Sequence, residues 1–385
     1  MTSPQPNQPR AAYVHVPFCR HRCGYCNFTL VAGRDDLIGA YLEALKRELA
    51  ALGGPHEVDT LFFGGGTPTH LPPVSLARLF DIVRQTFSLA PGGELSVEAN
   101  PIDLDSTRAA ALAAAGVTRI SLGAQSFDPR VLKLLERDHT PEQIVTALDH
   151  ARRFARSVSL DLIFGVPGQS LADWQCDLSS AIALAANHLS TYGLTFEKGT
   201  AFWSRLGRGE VTRADEDLER ALYEAAIDTL TAAGYEHYEV SNFARPGHRC
   251  RHNETYWTGR PYFAAGPGAA RFIAGRRESN HRSTTTYIVR VLAGQSPVAE
   301  SEELEPEDAA RERLVFALRR LEGIELGQFA AETGFAADRL GGEALSRFVE
   351  QGLLEFSARG QHRHLRLTRR GLLVSDALWP EFLRR

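Results

Sequence analysis

Short apolar runs alternate with longer amphipathic stretches over the first two hundred residues of the chain. Residues 12–16, 60–63, 95–98, 119–123, 159–164 and 190–195 are dominated by apolar and β-favouring side chains and predict strands. Residues 37–52, 75–87, 106–115, 140–154 and 171–185 repeat their apolar positions at helical spacing and predict helices. Strand, helix, strand in succession implies a parallel sheet with crossover helices. The fold class is therefore α/β. Units of this kind over residues 11–200 suit an open, partial (β/α)6 barrel better than a closed eightfold one.

The pattern changes twice downstream. Residues 201–300 hold a helix at 218–233, a strand-like alternation at 235–243, and then a stretch rich in aromatics and histidines. This region is expected to complete the barrel. Residues 301–385 open with helices expected at 307–321, 325–333 and 342–351. Strand-like runs at 353–356 and 364–367 follow, around the turn Arg359-Gly360-Gln361. Three helices and a two-stranded wing predict a small winged-helix-like module.

Unusual residues fall where the predicted strands end. A cysteine loop follows the first strand, and Gly64-Gly65-Gly66-Thr67-Pro68 the second. Glu98-Ala99-Asn100-Pro101, Gln125-Ser126-Phe127 and Gly165-Val166-Pro167-Gly168 follow the next three. In α/β barrels the chemistry sits on that rim. Loops gather glycines for other reasons, but that explains an acid, an amide and three cysteines less well. Taken singly, Glu98, Gln125, Arg137 and Asp161 are more often surface or loop residues than ligands; as a set on one rim they could bind a polar ligand. Asp161 interrupts the apolar run 160–164, and a carboxylate there needs a partner or water.

Cys19, Cys23 and Cys26 form a C-x-x-x-C-x-x-C motif with Tyr25 just before the last cysteine. Thiolates this close can converge on one soft metal centre. A structural zinc or a saturated iron–sulfur cluster usually takes four protein ligands. Three leave one iron of a [4Fe–4S] cluster open to a substrate or cofactor. A zinc knuckle lacking a ligand and buried apolar cysteines are the alternatives. Cys176 and Cys250 could form only one disulfide, so a reducing cytoplasm is the natural compartment. His248, Cys250 and His252 alternate, so on an extended segment they would share a face and could ligate a metal. Imidazole or thiolate with flanking Tyr256 and Trp257 suits haem; surface histidines beside a packed Tyr–Trp pair is the plainer reading of the residues alone.

Composition and charge remove some classes. The 385 residues are 43% hydrophobic and 23% charged, with a formal net charge of −4. That gives no global drive toward nucleic acid or an anionic membrane. No apolar run approaches the ~18 residues a spanning helix needs. The first ten residues lack the apolar core of a signal peptide and read as a short disordered lead. Arg359, His362, Arg363, His364, Arg366, Arg369 and Arg370 make the wing basic enough to consider RNA or DNA. A solvated wing is the commoner explanation, so a nucleic-acid partner is not expected.

The cysteine motif is similar to the signature of the radical S-adenosylmethionine (SAM) superfamily. The other matching pieces are Tyr13-Val14-His15-Val16-Pro17-Phe18, residues 63–68, 98–101, 125–127 and 161–167, and His252-Asn253-Glu254-Thr255-Tyr256-Trp257. With them the chain resembles the coproporphyrinogen-oxidase-like branch, and within it the HemW-like haem chaperones, over about residues 13–373. The resemblance implies a [4Fe–4S] cluster on Cys19, Cys23 and Cys26, whose reduction would cleave SAM to a radical. It implies SAM contacts from Tyr13, Gly65, Gly66, Thr67 and Glu98. Tyr25, Gln125, Arg137 and Asp161 lie where the related oxidase binds SAM or a second SAM. His252, Tyr256 and Trp257 match an H-N-x-x-Y-W pattern associated with haem. A side chain at Gly65 is expected to fill space the methionine needs and to spare the cluster. Gly24 and Asn27 stand where many of these chains have proline and aspartate; neither would be a ligand. The oxidase carries a longer segment ahead of its first strand, whereas a short lead precedes Ala11 here. That favours haem carriage over oxygen-independent dehydrogenation of coproporphyrinogen III. The implied partners are haem-accepting proteins such as respiratory enzymes, with peripheral membrane association allowed.

Overall fold

A computed structural model describes residues 8–383. Most of the expected N-terminal lead, and the side chain of Arg359 in the basic wing, lie outside the described residues. Strands β1 (Ala11–Val16), β2 (His56–Gly65), β3 (Phe87–Ala99), β4 (Arg119–Gln125), β5 (Ser157–Phe164) and β6 (His188–Gly193) pair in parallel, each with the next. Helices α1 (Ile38–Ala51), α2 (Pro73–Arg84), α3 (Ser106–Ala114), α4 (Pro141–Arg152) and α5 (Leu171–Ala183) lie between them. Helix starts carry their own signals. Thr140 and Gln143 form a capping box at α4 with Pro141 in its first position, and Ser170 and Asp173 do the same at α5.

Residues beyond 200 extend the sheet at both ends. After α6 (Glu216–Ala232), strands β7 (Glu236–Glu239) and β8 (Asn242–Ala244) form a hairpin antiparallel to β6. The single strand expected at 235–243 is thus two, turned at residues 240–241. Strand β9 (Phe263–Ala265) pairs in parallel with β1. The sheet is nine-stranded and open, ordered β9-β1-β2-β3-β4-β5-β6-β8-β7.

Alternation along these strands builds two different faces. In β5, Val158, Leu160 and Leu162 are fully buried in the main apolar core, while Ser159 and Asp161 point to the opposite side. In β4, Ile120, Leu122 and Ala124 join that core, while Ser121, Gly123 and Gln125 face a cavity. Each fully buried Leu or Ile on the outer face contributes ~1.5–3 kcal/mol. Asp161 therefore follows the strand period and does not break it.

The segment around His252 departs from the extended form expected for 248–252. It enters helix α7 (Arg251–Trp257), with Cys250 at its N-cap. Glu94 of β3 accepts hydrogen bonds from the backbone N–H groups of Arg251 and His252, both at 3.2 Å. These amides have no partner within the helix, and the carboxylate satisfies them. His248, Cys250 and His252 consequently do not share a face.

A three-stranded antiparallel sheet, Ala270–Ile273, Arg276–Asn280 and Val298–Glu303, stands beside the main sheet. The C-terminal module contains α8 (Pro306–Leu318), then helices Leu326–Thr333 and Ala337–Glu350, then the hairpin Leu354–Arg359 and His362–Leu367. The wing has three strands, not two, because Ile324–Glu325 pairs with His362–Leu367. Among the described residues no helix is long and apolar enough to cross a membrane.

Candidate functional site

The C-terminal ends of β1 to β5 open into a cavity of about 1220 Å³. That exceeds the ~300–1,000 Å³ of a typical small-molecule pocket. The two-residue strand Phe18–Cys19 pairs with Val31–Ala32, so residues 20–30 loop out over one wall and return. Cys19, Cys23 and Cys26 all line the cavity as free thiols, Cys23 buried and the other two half-buried. The Cys26 N–H donates to the Cys23 carbonyl at 3.0 Å, which tightens the loop between them.

The first part of the loop is held by several different elements. Thr67 Oγ1 lies 3.4 Å from Cys19 Sγ. Arg137 Nη1 donates to Cys23 Sγ at 3.4 Å, while its Nη2 donates to Asn100 Oδ1 at 3.1 Å and to the Gly123 carbonyl at 3.0 Å. Arg20 donates to the buried Asp103 at 3.2 Å, and His21 contacts the Glu136 carbonyl and Asp138. Burial pushes the Cys19 thiol up to about 12 and raises Cys26 too. Thiolates at these positions need added positive charge close by. Among the described residues no three His, Cys, Asp or Glu side chains converge closely enough for a single ion. A four-iron cluster takes one thiolate per iron, and a donor set of three cavity thiols suits it better than a structural zinc, which usually takes four protein ligands.

The glycine turn is stitched to the strand that leads into the cysteines. Gly66 N–H donates to the Val16 carbonyl and Thr67 N–H to the Phe18 carbonyl, both at 2.8 Å. Gly65 has φ +106°, and its N–H donates to Glu98 Oε2 at 2.9 Å. Directly behind it lies His15, which no motif in the sequence marks as functional. A Cβ on Gly65 would sit 2.2 Å from His15 Cε1. His15 Nε2 is 2.7 Å from the Thr29 carbonyl at the far end of the cysteine loop, and its Nδ1 is 3.1 Å from Tyr13 Oη. The available signal was alternation: His15 and Tyr13 share the inner face of β1.

Two carboxylates face the same cavity. Burial pushes Glu98 up to about 7, with the Gly65 N–H opposing and Asp161 adding to the rise. Burial also raises Asp161, against hydroxyl donors from Ser190 and Ser121; Ser121 Oγ lies 2.9 and 3.0 Å from its two oxygens. Tyr13, Tyr25, Gly66, Thr67, Gln125 and Arg137 line the cavity as well. Gln125 has φ 65° at a register shift between β4 and β5, an uncommon conformation for a residue with a side chain.

Glu98 yields a pH prediction. Between its usual value of 4.5 and about 7, folded ligand-free protein holds the proton that the unfolded chain releases. Stability from this group therefore falls as pH rises through that window. Glu98→Gln lacks the ionised form. Its melting temperature is expected to match wild type below pH 4.5 and to exceed it increasingly toward pH 7. Parallel melting curves at all pH values would contradict the burial described.

His252, Tyr256 and Trp257 of the H-N-x-x-Y-W stretch face different directions. His252 is 1% exposed. Its Nδ1 is 2.9 Å from Thr60 Oγ1 and its Nε2 2.8 Å from Tyr256 Oη. Burial lowers it to about 3, so the ring is neutral. Tyr256 lines the cavity. Trp257 turns to the C-terminal module, with Arg319 4.7 Å above its ring and Phe316 of α8 at 6.4 Å. The structure thus brings the cysteines, the proposed SAM residues and Tyr256 to one cavity, but not His252 or Trp257.

Comparison with known proteins agrees with this architecture. The Radical SAM superfamily pattern matches residues 13–177, and the HemN C-terminal domain pattern matches residues 304–374. The heme chaperone HemW of Mycobacterium tuberculosis is 40% identical, over 98% of this chain and 95% of its own. The proteins of the same name in Bacillus subtilis and Escherichia coli K12 are 34% and 35% identical, over 97% of this chain and 99% and 98% of theirs. The solved structure of coproporphyrinogen III oxidase, HemN, from Escherichia coli superimposes with a TM-score of 0.85 over 98% of this chain and 91% of that one. At 23% identity that likeness speaks to the fold. With relatives this similar over nearly the whole chain, the protein belongs to the HemW family within the radical SAM superfamily.

Proposed function

We propose that this protein is a cytoplasmic haem chaperone that holds a [4Fe–4S] cluster on Cys19, Cys23 and Cys26, binds SAM beside it, and passes haem to acceptor proteins. The observation that carries the reading is the shared cavity: three free thiols on one wall and the Gly65–Thr67 turn with Glu98 next to them. The donor set suits the cluster, because three soft ligands leave one iron free and Arg137 supplies positive charge at Cys23. When both are bound, the reduced cluster supplies the electron that cleaves SAM.

The residues of this chain would bind and orient. The Gly65–Gly66 backbone allows close approach of the methionine part, and Glu98 and Asp161 offer acceptors to ammonium and hydroxyl groups. Gln125 and Arg137 offer donors to the same cavity, and Tyr25 provides an aromatic face near the last cysteine. The loop 20–30 and the strands at 270–280 shield the cavity from water. The cavity has room for more than one small ligand, which suits a macrocycle bound beside SAM.

The test is a haem titration of anaerobically reconstituted protein, run in parallel with an assay of coproporphyrinogen III conversion. Haem binding close to one equivalent, its transfer to an apo-acceptor and negligible porphyrinogen turnover are expected. Robust decarboxylation would assign the oxidase activity instead.

A further inference from the structure

The imidazole of His252 is enclosed. Phe62 stacks on it at 5.0 Å, Tyr256 meets it edge-on at 5.1 Å, and Tyr13 lies at 6.5 Å. Thr60 and Tyr256 engage its two ring nitrogens. Its backbone N–H is held by Glu94. A haem ligand needs a free nitrogen lone pair and a clear approach to it. His252 presents neither.

Tyr256 is placed differently. Its ring lines the cavity, and Tyr262, another cavity residue, packs edge-on against it at 4.7 Å. Its hydroxyl is tied back to His252, which is tied to Thr60 of β2. We propose that His252 is a positioning residue which holds the Tyr256 phenol in the cavity floor, and that Tyr256 is the residue of this motif that touches the bound ligand. The identity of that ligand, SAM or haem, rests on the function proposed above; the placement does not. A neutral imidazole has one N–H and one lone pair, so the Thr60–His252–Tyr256 chain also determines whether the phenol donates or accepts toward the cavity. An aromatic floor of this kind suits a planar π-system, the adenine of SAM or the edge of a tetrapyrrole.

The test compares His252→Gln, His252→Leu and Tyr256→Phe in reconstituted full-length protein, with iron and sulfide content as the folding control. Glutamine can bridge Thr60 and Tyr256 but does not replace imidazole on haem iron. SAM affinity is read by equilibrium dialysis and haem binding by Soret titration. Tyr256→Phe and His252→Leu are expected to weaken the same ligand by about tenfold, as loss of one buried hydrogen bond implies. His252→Gln should recover to within about threefold, with the shape of the haem spectrum unchanged. Loss of the Soret band in His252→Gln with unaltered binding in Tyr256→Phe would make His252 the iron ligand and overturn the proposal. Wild-type affinity of Tyr256→Phe for both ligands would also overturn it. If His252→Leu does not fold, the other two variants decide. If wild-type protein binds no haem, the chaperone reading fails, while the SAM measurements still decide the role of His252.

Discussion

Cys23→Ala is expected to leave the protein without its iron–sulfur absorbance after anaerobic reconstitution. Cys23 is the buried member of the three cysteines and the one that receives the Arg137 guanidinium. With three protein thiolates for the cluster, losing one leaves two, and no other cysteine can substitute. Cys176 is exposed on α5. Cys250 lies at the N-cap of α7, its thiol 3.7 Å from Glu94 and absent from the cavity wall. Serine at either of these positions is expected to retain full iron and sulfide. The measurement is iron and sulfide content per chain with the visible spectrum; normal incorporation in Cys23→Ala would remove the assignment of all three ligands. A fall of cluster content by at least tenfold is expected, because a coordinate bond is lost and a buried arginine is left facing a methyl group.

The sequence made much of this site legible, for a physical reason. A strand covered on both sides still alternates when one side faces apolar helices and the other a polar cavity. The apolar half of that pattern, in residues such as Leu160 and Leu162, predicted the strands. The polar half, in Glu98, Gln125 and Asp161, marked the rim. The order of helices and strands then led to the open partial barrel that the nine-stranded sheet displays. The ends of that sheet were not legible. β9 is only Phe263-Ala264-Ala265, too short to show a period, and it exists because Ala12 to Val14 of β1 lie alongside, some 250 positions away in the chain. Helix α7 was missed for a related reason. Seven residues are too few to form a helix unaided, and its first amides are satisfied by Glu94, far back in the sequence. His15 carried no chemical signature of its own. Its role depends on Gly65 and Thr29 meeting it in space.

That meeting alters what a substitution at Gly65 does. The sequence led to an expectation that a side chain there would exclude SAM and spare the cluster. In the structure the first obstacle is protein. A Cβ would lie 2.2 to 2.6 Å from three atoms of the His15 ring, and φ +106° is a conformation that residues other than glycine rarely adopt. Strain and overpacking together cost roughly 2–5 kcal/mol. His15 cannot shift freely, because its Nε2 is bonded to the Thr29 carbonyl and Tyr41 Oη donates to its backbone carbonyl at 2.7 Å. Pushing the ring away therefore pulls on the segment that closes the cysteine loop. Gly65→Ala is expected to lose SAM binding, to lower cluster content severalfold and to melt earlier. Glu98→Gln provides the contrast. It keeps the shape of the side chain and an acceptor for the Gly65 N–H, so the turn and the cluster should persist while SAM affinity falls by about tenfold with the loss of a charge-assisted contact. Equilibrium dialysis with SAM and iron analysis on the same samples separate the two outcomes. Full cluster occupancy in Gly65→Ala with SAM binding abolished would show that His15 does not couple the turn to the cysteine loop.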